Sequence, residues 1–530
     1  MSEKIKSVKQ LIVRSLEQSK RPLNYKQISK KIKFENKNMV LQILEDLVKE
    51  KKIELNNHYK FFIQKVEKKI ISGYVEIKKK IALFKAEGSS ELIPLFSEKP
   101  PLYFNQDYIS ASIYYEKGKV RAKFLNIIKR HKTEFVGVVQ KTKKHCFVIP
   151  SDRSIKTDFY IGQEHYLNAK NNDNVIVELL DWPKKAKSPF GKILTILGND
   201  DDLEATKKCI LHKYDITPDF KNSTLAELEK IEEKITSTEK KERKDLRKIK
   251  TFTIDPDDAK DFDDAISIKK LNNDIYEIGV HIADVTHYIK EGSGLDKEAY
   301  NRSCSVYLEN SVVPMIPEKL SNQICSLRPL EDKLCFSVLF EISKNGQVKN
   351  SWIGKTIINS NYRLTYQDAQ NIIEGSPHKL NTEITLLHNL SQKFRKQRIQ
   401  NGSVMICQEE TKILFNENGL PQRAKNKKVL FSNQLIEEFM LLANQEVCKY
   451  FSKNTAGVFR VHDKPDIEKL KSLIFILKKS NLKLDVSAKN LSKEINNLLS
   501  KLKSNPNFLM INKLILRSMA KAQYSTDNIG

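Results

Sequence analysis

Val8, Leu11, Ile12 and Leu16 recur at helical spacing near the start of the chain, which predicts a first amphipathic helix. Ile28 and Ile32, then Val40, Ile43, Leu44, Leu47 and Val48, extend that spacing through two more short helices. Asn24 followed by Gln27 predicts an N-cap and capping box ahead of the second of them. The run KKIELNNHYKFFI then gives two β-rich stretches around Asn56 and Asn57. Helices followed by a hairpin over residues 1–64 are the order of a winged helix-turn-helix. Such modules read nucleic acid in some proteins and dock other proteins in others.

Over residues 65–130 the period changes. Short β-rich runs such as IISGYVEI and KIALFKA alternate with turns and predict a small barrel. A second barrel is predicted over 131–200 from FVGVVQKTKKHCFVIPSD, TDFYI, DNVIVELLDW and GKILTIL. It carries Lys141, Lys143 and Lys144 beside Phe135, Phe147, Phe159 and Tyr160. Bases can stack on rings while lysines track phosphates, so Phe135, Phe147, Phe159 and the three lysines are candidate single-strand RNA contacts. Barrel core is the competing assignment for at least half of the aromatics. Residues 201–250 read as a charged helical connector. Thr224 and Glu227 suggest a capping box there, Leu225, Leu228, Ile231 and Ile235 suggest one apolar stripe, and the charges suggest a solvated face.

The segment IDPDDAKDFDDAISI, residues 254–268, places six aspartates within ten positions, among Ile254, Phe262, Ala265, Ile266 and Ile268. Apolar neighbours of this kind draw carboxylates into a partly buried site, where like charges stay ionised only if a cation or proton relieves them. Oxygen ligands without a nearby histidine suit Mg²⁺ or Mn²⁺. A calcium loop of the EF-hand type would need glycine and glutamate where Lys260 and Ile266 stand, which excludes it. Two such ions can clamp both oxygens of a displacement at phosphorus, so phosphodiester hydrolysis is the leading chemistry.

Composition agrees with that direction. At 530 residues several domains are expected, and a net charge of +26 favours a polyanionic partner, although a base-biased genome would also enrich lysine. The seven cysteines are scattered without a C-x-x-C pair, which fits reduced thiols and argues against zinc. No stretch reaches the apolar length of a membrane span, and a soluble, cytoplasmic chain is expected.

The run IDPDDAKDFDDA closely resembles the catalytic signature of the ribonuclease II / ribonuclease R (RNB) family. HIADVTHYI, LDKEAYNRSCSVYL, VPMIPEKLSNQICSL, IEEFMLLAN, FRVHDKPD and RSMAKAQYS follow in the family's order across residues 251–530. The resemblance implies a multidomain α+β protein with an N-terminal winged helix. Two OB-type, cold-shock-like barrels follow, the first of them divergent, then an incomplete mixed α/β RNB catalytic domain. In the first barrel the glycine and phenylalanine run of the family is replaced by IKKKIALF.

The resemblance further implies a processive 3′→5′ exoribonuclease that releases nucleoside 5′-monophosphates in RNA turnover and quality control. Mg²⁺, or Mn²⁺, would be the cofactor, and single-stranded or structured RNA the partner of a monomeric, membrane-free enzyme. The family's active-site aspartates fall on Asp255, Asp261, Asp263 and Asp264, with Asp263 the most critical. Tyr307 falls on the tyrosine that stacks on the 3′-terminal nucleotide, core packing being its alternative. His281, Asp284 and His462 read as structural groups, and Glu437 and Glu438 as outward or supporting. The family continues past Gly530 into an arginine-rich segment and a C-terminal OB-fold domain. The expectation for this chain is therefore an incomplete core with weak activity or none, or alternatively an RNA-binding protein with an inactive nuclease domain.

Overall fold

The computed structural model describes all residues except 1, 18, 20, 51, 63–68, 79–80, 98–100, 117–118, 143–144, 200, 273, 309–310, 407–409, 417–419, 455–456, 480, 487–489 and 530. The chain folds as two units, Met1–Ile216 and Thr217–Gly530.

The first unit begins with helices Ser2–Glu17, Tyr25–Lys31 and Lys37–Lys49 and a hairpin of Glu54–Leu55 with Phe61–Phe62. Val8, Ile12, Leu16, Ile28, Val40 and Leu44 form its core, the faces that the helical spacing selects. Asn24 and Gln27 cap each other's backbone reciprocally, both bonds being 2.9 Å long. Two closed five-stranded barrels follow. The first closes despite its divergent sequence, because Val75, Phe84, Ile109 and Ala122 all point inward. Gly73 sits where a Cβ would lie 2.2 Å from the Lys85 carbonyl, so only glycine fits this barrel corner. The second barrel comprises Glu134–Lys141, Cys146–Pro150, Phe159–Ile161, Asp173–Asp181 and Phe190–Asn199.

The second unit is built on a seven-stranded sheet. Its order across the sheet is Lys244–Asp245, Val348–Asn359, Asp332–Ser343, Ile275–Ala283, Asp264–Lys270, Thr251–Asp255 and Tyr362–Thr365. Pairing is antiparallel through the middle and parallel at both edges. Side chains alternate across the strands, so Ile266, Ile278 and Phe340 face one core. Ala265, Cys335 and Leu339 face another. Helices Tyr366–Ile373, Asn381–Gln400 and Phe431–Asn454 cover the first face through Ile372, Leu387 and Phe439.

The connector departs from its sequence reading. The helix Asn222–Leu228 starts after Lys221 and ends before Ile231, so no single stripe forms and Leu225 is exposed. Thr224 bonds the buried Glu298, and Glu227 accepts from the Leu295 N–H at 3.2 Å. Tertiary partners outcompete the local cap at this position. The reciprocal box lies instead at Thr236 and Glu239.

Candidate active site

Asp255 ends one strand and Asp264 begins its antiparallel neighbour, so the sheet itself sets the aspartates at the two ends of the connecting loop. Asp261 and Asp263 lie in that loop. Asp255 is buried, and its Oδ2 has no hydrogen-bond partner. Burial raises its carboxyl to about 6, with the Thr253 side chain and then Arg363 opposing and Asp263 and Asp261 adding. Asp264 is pushed up to about 7, first by burial and then by Asp255 and Asp263. Asp263 is open to solvent on one side, yet desolvation, followed by Asp261, raises it as well. The four carboxylates therefore feel one another in a partly dry site. Asp257 and Asp258 remain exposed outside the set, Asp258 facing Lys412 at 3.5 Å.

An uncompensated buried carboxylate oxygen among like charges fits a hard divalent cation. Among the described residues no three acidic, histidine or cysteine side chains form a ready-made metal cage. A magnesium site completed by water and substrate phosphate needs only one or two carboxylates from the protein.

Tyr307 lies on the short strand Val306–Leu308 with its side chain 70% exposed, so it is no core residue. Its hydroxyl is raised by desolvation and then by the charges of Asp261 and Asp263, so it lies within their electrostatic reach. Sequence reasoning missed two neighbours. Tyr366 is pushed up to about 12, by burial and then by Asp264 and Asp255. Arg363 donates to the carbonyls of Pro256 and Asp257 at 2.9 and 2.8 Å and lies over the Phe262 ring. Arg363 lies on the edge strand Tyr362–Thr365 and Tyr366 directly follows it, far along the chain from the aspartates, and no local pattern marks either.

Other residues from the family motifs serve the frame. His281 is wholly buried, bonds Ser337 at 2.7 Å and is pushed down to about 3 by burial. Asp284 pairs with Arg243, and His462 is exposed on the strand Phe459–His462. Glu438 does not point outward. It is buried and accepts from Arg398 at 2.6 Å and Arg395 at 3.3 Å, while Glu437 meets Arg398 at 3.1 Å.

On the second barrel, Phe135 and Phe159 are 7% and 0% exposed and pack in the core, which removes them as RNA contacts. Strand parity explains the split. Cys146 and Val148 point inward and Phe147 outward, while Phe159 and Ile161 point inward and Tyr160 outward. Phe147, Tyr160 and Phe190 form a surface chain of rings with centroids 5.6 and 5.7 Å apart, and His145 adjoins it. Phe147 is thus joined by Tyr160, which the sequence pattern named but did not select as a contact, and by Phe190, which it omitted. Lys141 is exposed over the Tyr166 ring at 4.6 Å. Lys143 and Lys144 lie outside the described residues.

Residues 243–530 match the RNB domain, and residues 147–221 match a cold shock domain. Ribonuclease R of Thermotoga maritima is 36% identical over 425 residues, covering 78% of this chain and 60% of that protein. Ribonuclease R of Aquifex aeolicus is 30% identical over 533 residues, covering 98% of this chain and 74% of that protein. The chain thus spans 60% of the first relative's length and 74% of the second's. In fold it is similar to Mycoplasma genitalium RNase R in complex with ribose methylated single-stranded RNA. The TM-score is 0.78 at 23% identity, over 86% of this chain and 74% of that one.

Proposed function

The chain belongs to the RNB family, in its ribonuclease R branch, and from that membership we propose that its protein hydrolyses single-stranded RNA from the 3′ end to nucleoside 5′-monophosphates, using Mg²⁺ or Mn²⁺. The observation that supports this reading best is the desolvated carboxylate set, with Asp255 Oδ2 left without a partner. Asp255 and Asp264 would hold the cation, and Asp261 and Asp263 would complete its site. When bound, the divalent ions supply Lewis-acid stabilisation of the phosphorus centre and lower the pKa of the attacking water. Burial around Asp255 and Asp264 keeps bulk water away and strengthens their hold on positive charge. Tyr307 presents its exposed ring to the last base and fixes where the chain end stops. The Phe147–Tyr160–Phe190 rings offer bases a stacking face, and Lys141 stands near phosphates.

A cytoplasmic, monomeric enzyme of RNA turnover and quality control is part of the same proposal. The test is a nuclease assay of the full-length protein with Mg²⁺ beside an Asp263→Asn variant. Mononucleotide release by the wild type alone supports the reading. RNA binding without hydrolysis in both identifies an RNA-binding protein with an inactive nuclease domain instead.

A further inference from the structure

Phe262 separates Asp261 from Asp263, and one short segment takes up both of its backbone polar groups. The Phe262 N–H donates to Ser326 Oγ at 3.0 Å, and the Phe262 carbonyl accepts from the Leu327 N–H at 2.8 Å. Ser326 Oγ in turn donates to the Lys260 carbonyl at 3.0 Å. A single hydroxyl therefore fixes the residue on each side of Asp261. Serine suits this position because its hydroxyl both accepts and donates. Alanine would leave the Phe262 N–H and the Lys260 carbonyl without that partner. Ser326 is 0% exposed, so the hydroxyl has no competing contact with bulk water.

The way Ser326 reaches the loop is unusual. Residues Lys319–Ile324 form a π-helical turn, in which the Cys325 N–H donates to the Leu320 carbonyl at 2.8 Å. Such turns carry one extra residue and recur at functional sites. Lys333 closes the turn by donating to the carbonyls of Gln323 at 2.5 Å and Ile324 at 3.3 Å. Leu320 and Leu327, both fully buried, anchor its two ends in the core that also receives Phe262.

We propose that Ser326 is a positioning residue for the metal-binding carboxylates, fixing the backbone of the loop from which Asp261 and Asp263 reach toward a cation bound at Asp255 and Asp264. The inference rests on the metal reading given under Proposed function. Ser326 touches neither RNA nor cation in this role and acts through the backbone of the loop. Without its hydroxyl the loop stays attached, because Arg363 still holds Pro256 and Asp257 and Leu327 still holds Phe262. The Asp261–Asp263 end would then sample other orientations, and the cation would be held more weakly.

Mn²⁺ titration by calorimetry on the full chain tests this, with Ser326→Ala beside Ser337→Ala. Ser337 is an equally buried serine that bonds His281 and Thr356 and makes no bond to the aspartate loop. Ser326→Ala should weaken Mn²⁺ binding by about 10- to 100-fold, as loss of groups that orient metal ligands does. Ser337→Ala should leave it unchanged. Equal affinities for wild type and Ser326→Ala, or an equal loss in both variants, would overturn the proposal. Should Ser326→Ala fail to fold, Ser326→Cys keeps the size with a weaker donor and acceptor. It should show a smaller but measurable loss, and unchanged affinity would again overturn the proposal. An unaltered chain that binds no Mn²⁺ would overturn the parent reading and this inference with it.

Discussion

Asp284 accepts a hydrogen bond from Arg243 at 2.7 Å, with both side chains only 3% exposed. Asp284 follows directly on Ala283, whose N–H holds the carbonyl of Asp263 at 3.0 Å. The pair therefore ties the short helices before the sheet to the aspartate loop. Burial works against ionisation of Asp284, but the bond and charge of Arg243 outweigh it and leave the carboxyl below its ordinary value. Arg243→Met should cost about 3–5 kcal/mol at pH 7, because it strands a buried charge. Replacing both residues with apolar ones should recover most of that loss. A carboxyl depressed in the folded state contributes stability that is present above the unfolded value near 4 and lost as pH falls through the folded one. Urea denaturation of wild type and Arg243→Met should therefore converge as pH falls below the depressed value of Asp284.

The aspartate set carries the opposite sign. Asp255 and Asp264 are raised to about 6 and about 7, so the folded, metal-free protein holds protons that the unfolded chain has already released. Their contribution is present below the unfolded value near 4 and is lost as pH rises through about 6 to 7. Without metal, Asp264→Asn should therefore gain stability relative to wild type as pH rises from 5 to 8. Mn²⁺ affinity of the wild type should rise over the same window, since ligands must shed protons. Denaturation midpoints in chelator and calorimetry at both pH values read these effects. A stability difference that stays flat with pH would contradict the assignment.

The ring chain on the second barrel separates binding from packing. Phe147→Ala and Tyr160→Ala should each weaken single-stranded RNA binding by about 1–3 kcal/mol with little loss of stability. Phe159→Ala should instead destabilise the barrel by about 3–5 kcal/mol. Binding isotherms and thermal melts of the three variants distinguish these outcomes. Affinity for RNA should also fall steeply with salt, as neutralised phosphates release counterions.

For Tyr307, an exposed ring within electrostatic reach of Asp261 and Asp263 should set the end point of degradation and not its chemistry. Tyr307→Ala in the full-length protein should leave a longer terminal oligonucleotide at near-normal rate, whereas Asp263→Asn should abolish cleavage while RNA binding survives. Both appear on one gel. An unchanged end product for Tyr307→Ala would mean that the ring does not clamp the terminal base.

What was legible in the sequence was what local periodicity carries. Helical spacing marked the faces of Val8, Ile12 and Val40, and aspartates among isoleucines marked a desolvated cluster. The barrel aromatics were pooled although parity separates Phe147 from Phe159, because the strand boundaries that fix parity had not been set. Thr224 was misread because its partner Glu298 lies in another helix. Arg363 and Tyr366 carried no local sign, and Ser326, although inside the run VPMIPEKLSNQICSL, carried none that pointed to the aspartate loop. They come to the aspartates only through the parallel pairing of the edge strand and the turn before Ser326.

That turn makes the count of residues as consequential as their identity. A π-turn winds one residue more into a turn than an α-helix does, so removing one residue between Lys319 and Ile324 would let the turn relax to ordinary winding with Ser326 kept close to its place. An added residue has no such slack, because the widened turn is already in use, and at about 100° per residue it would swing Ser326 about a quarter-turn away from the loop. Within this stretch, single-residue insertions should be far less tolerated than single-residue deletions, even at positions that touch nothing.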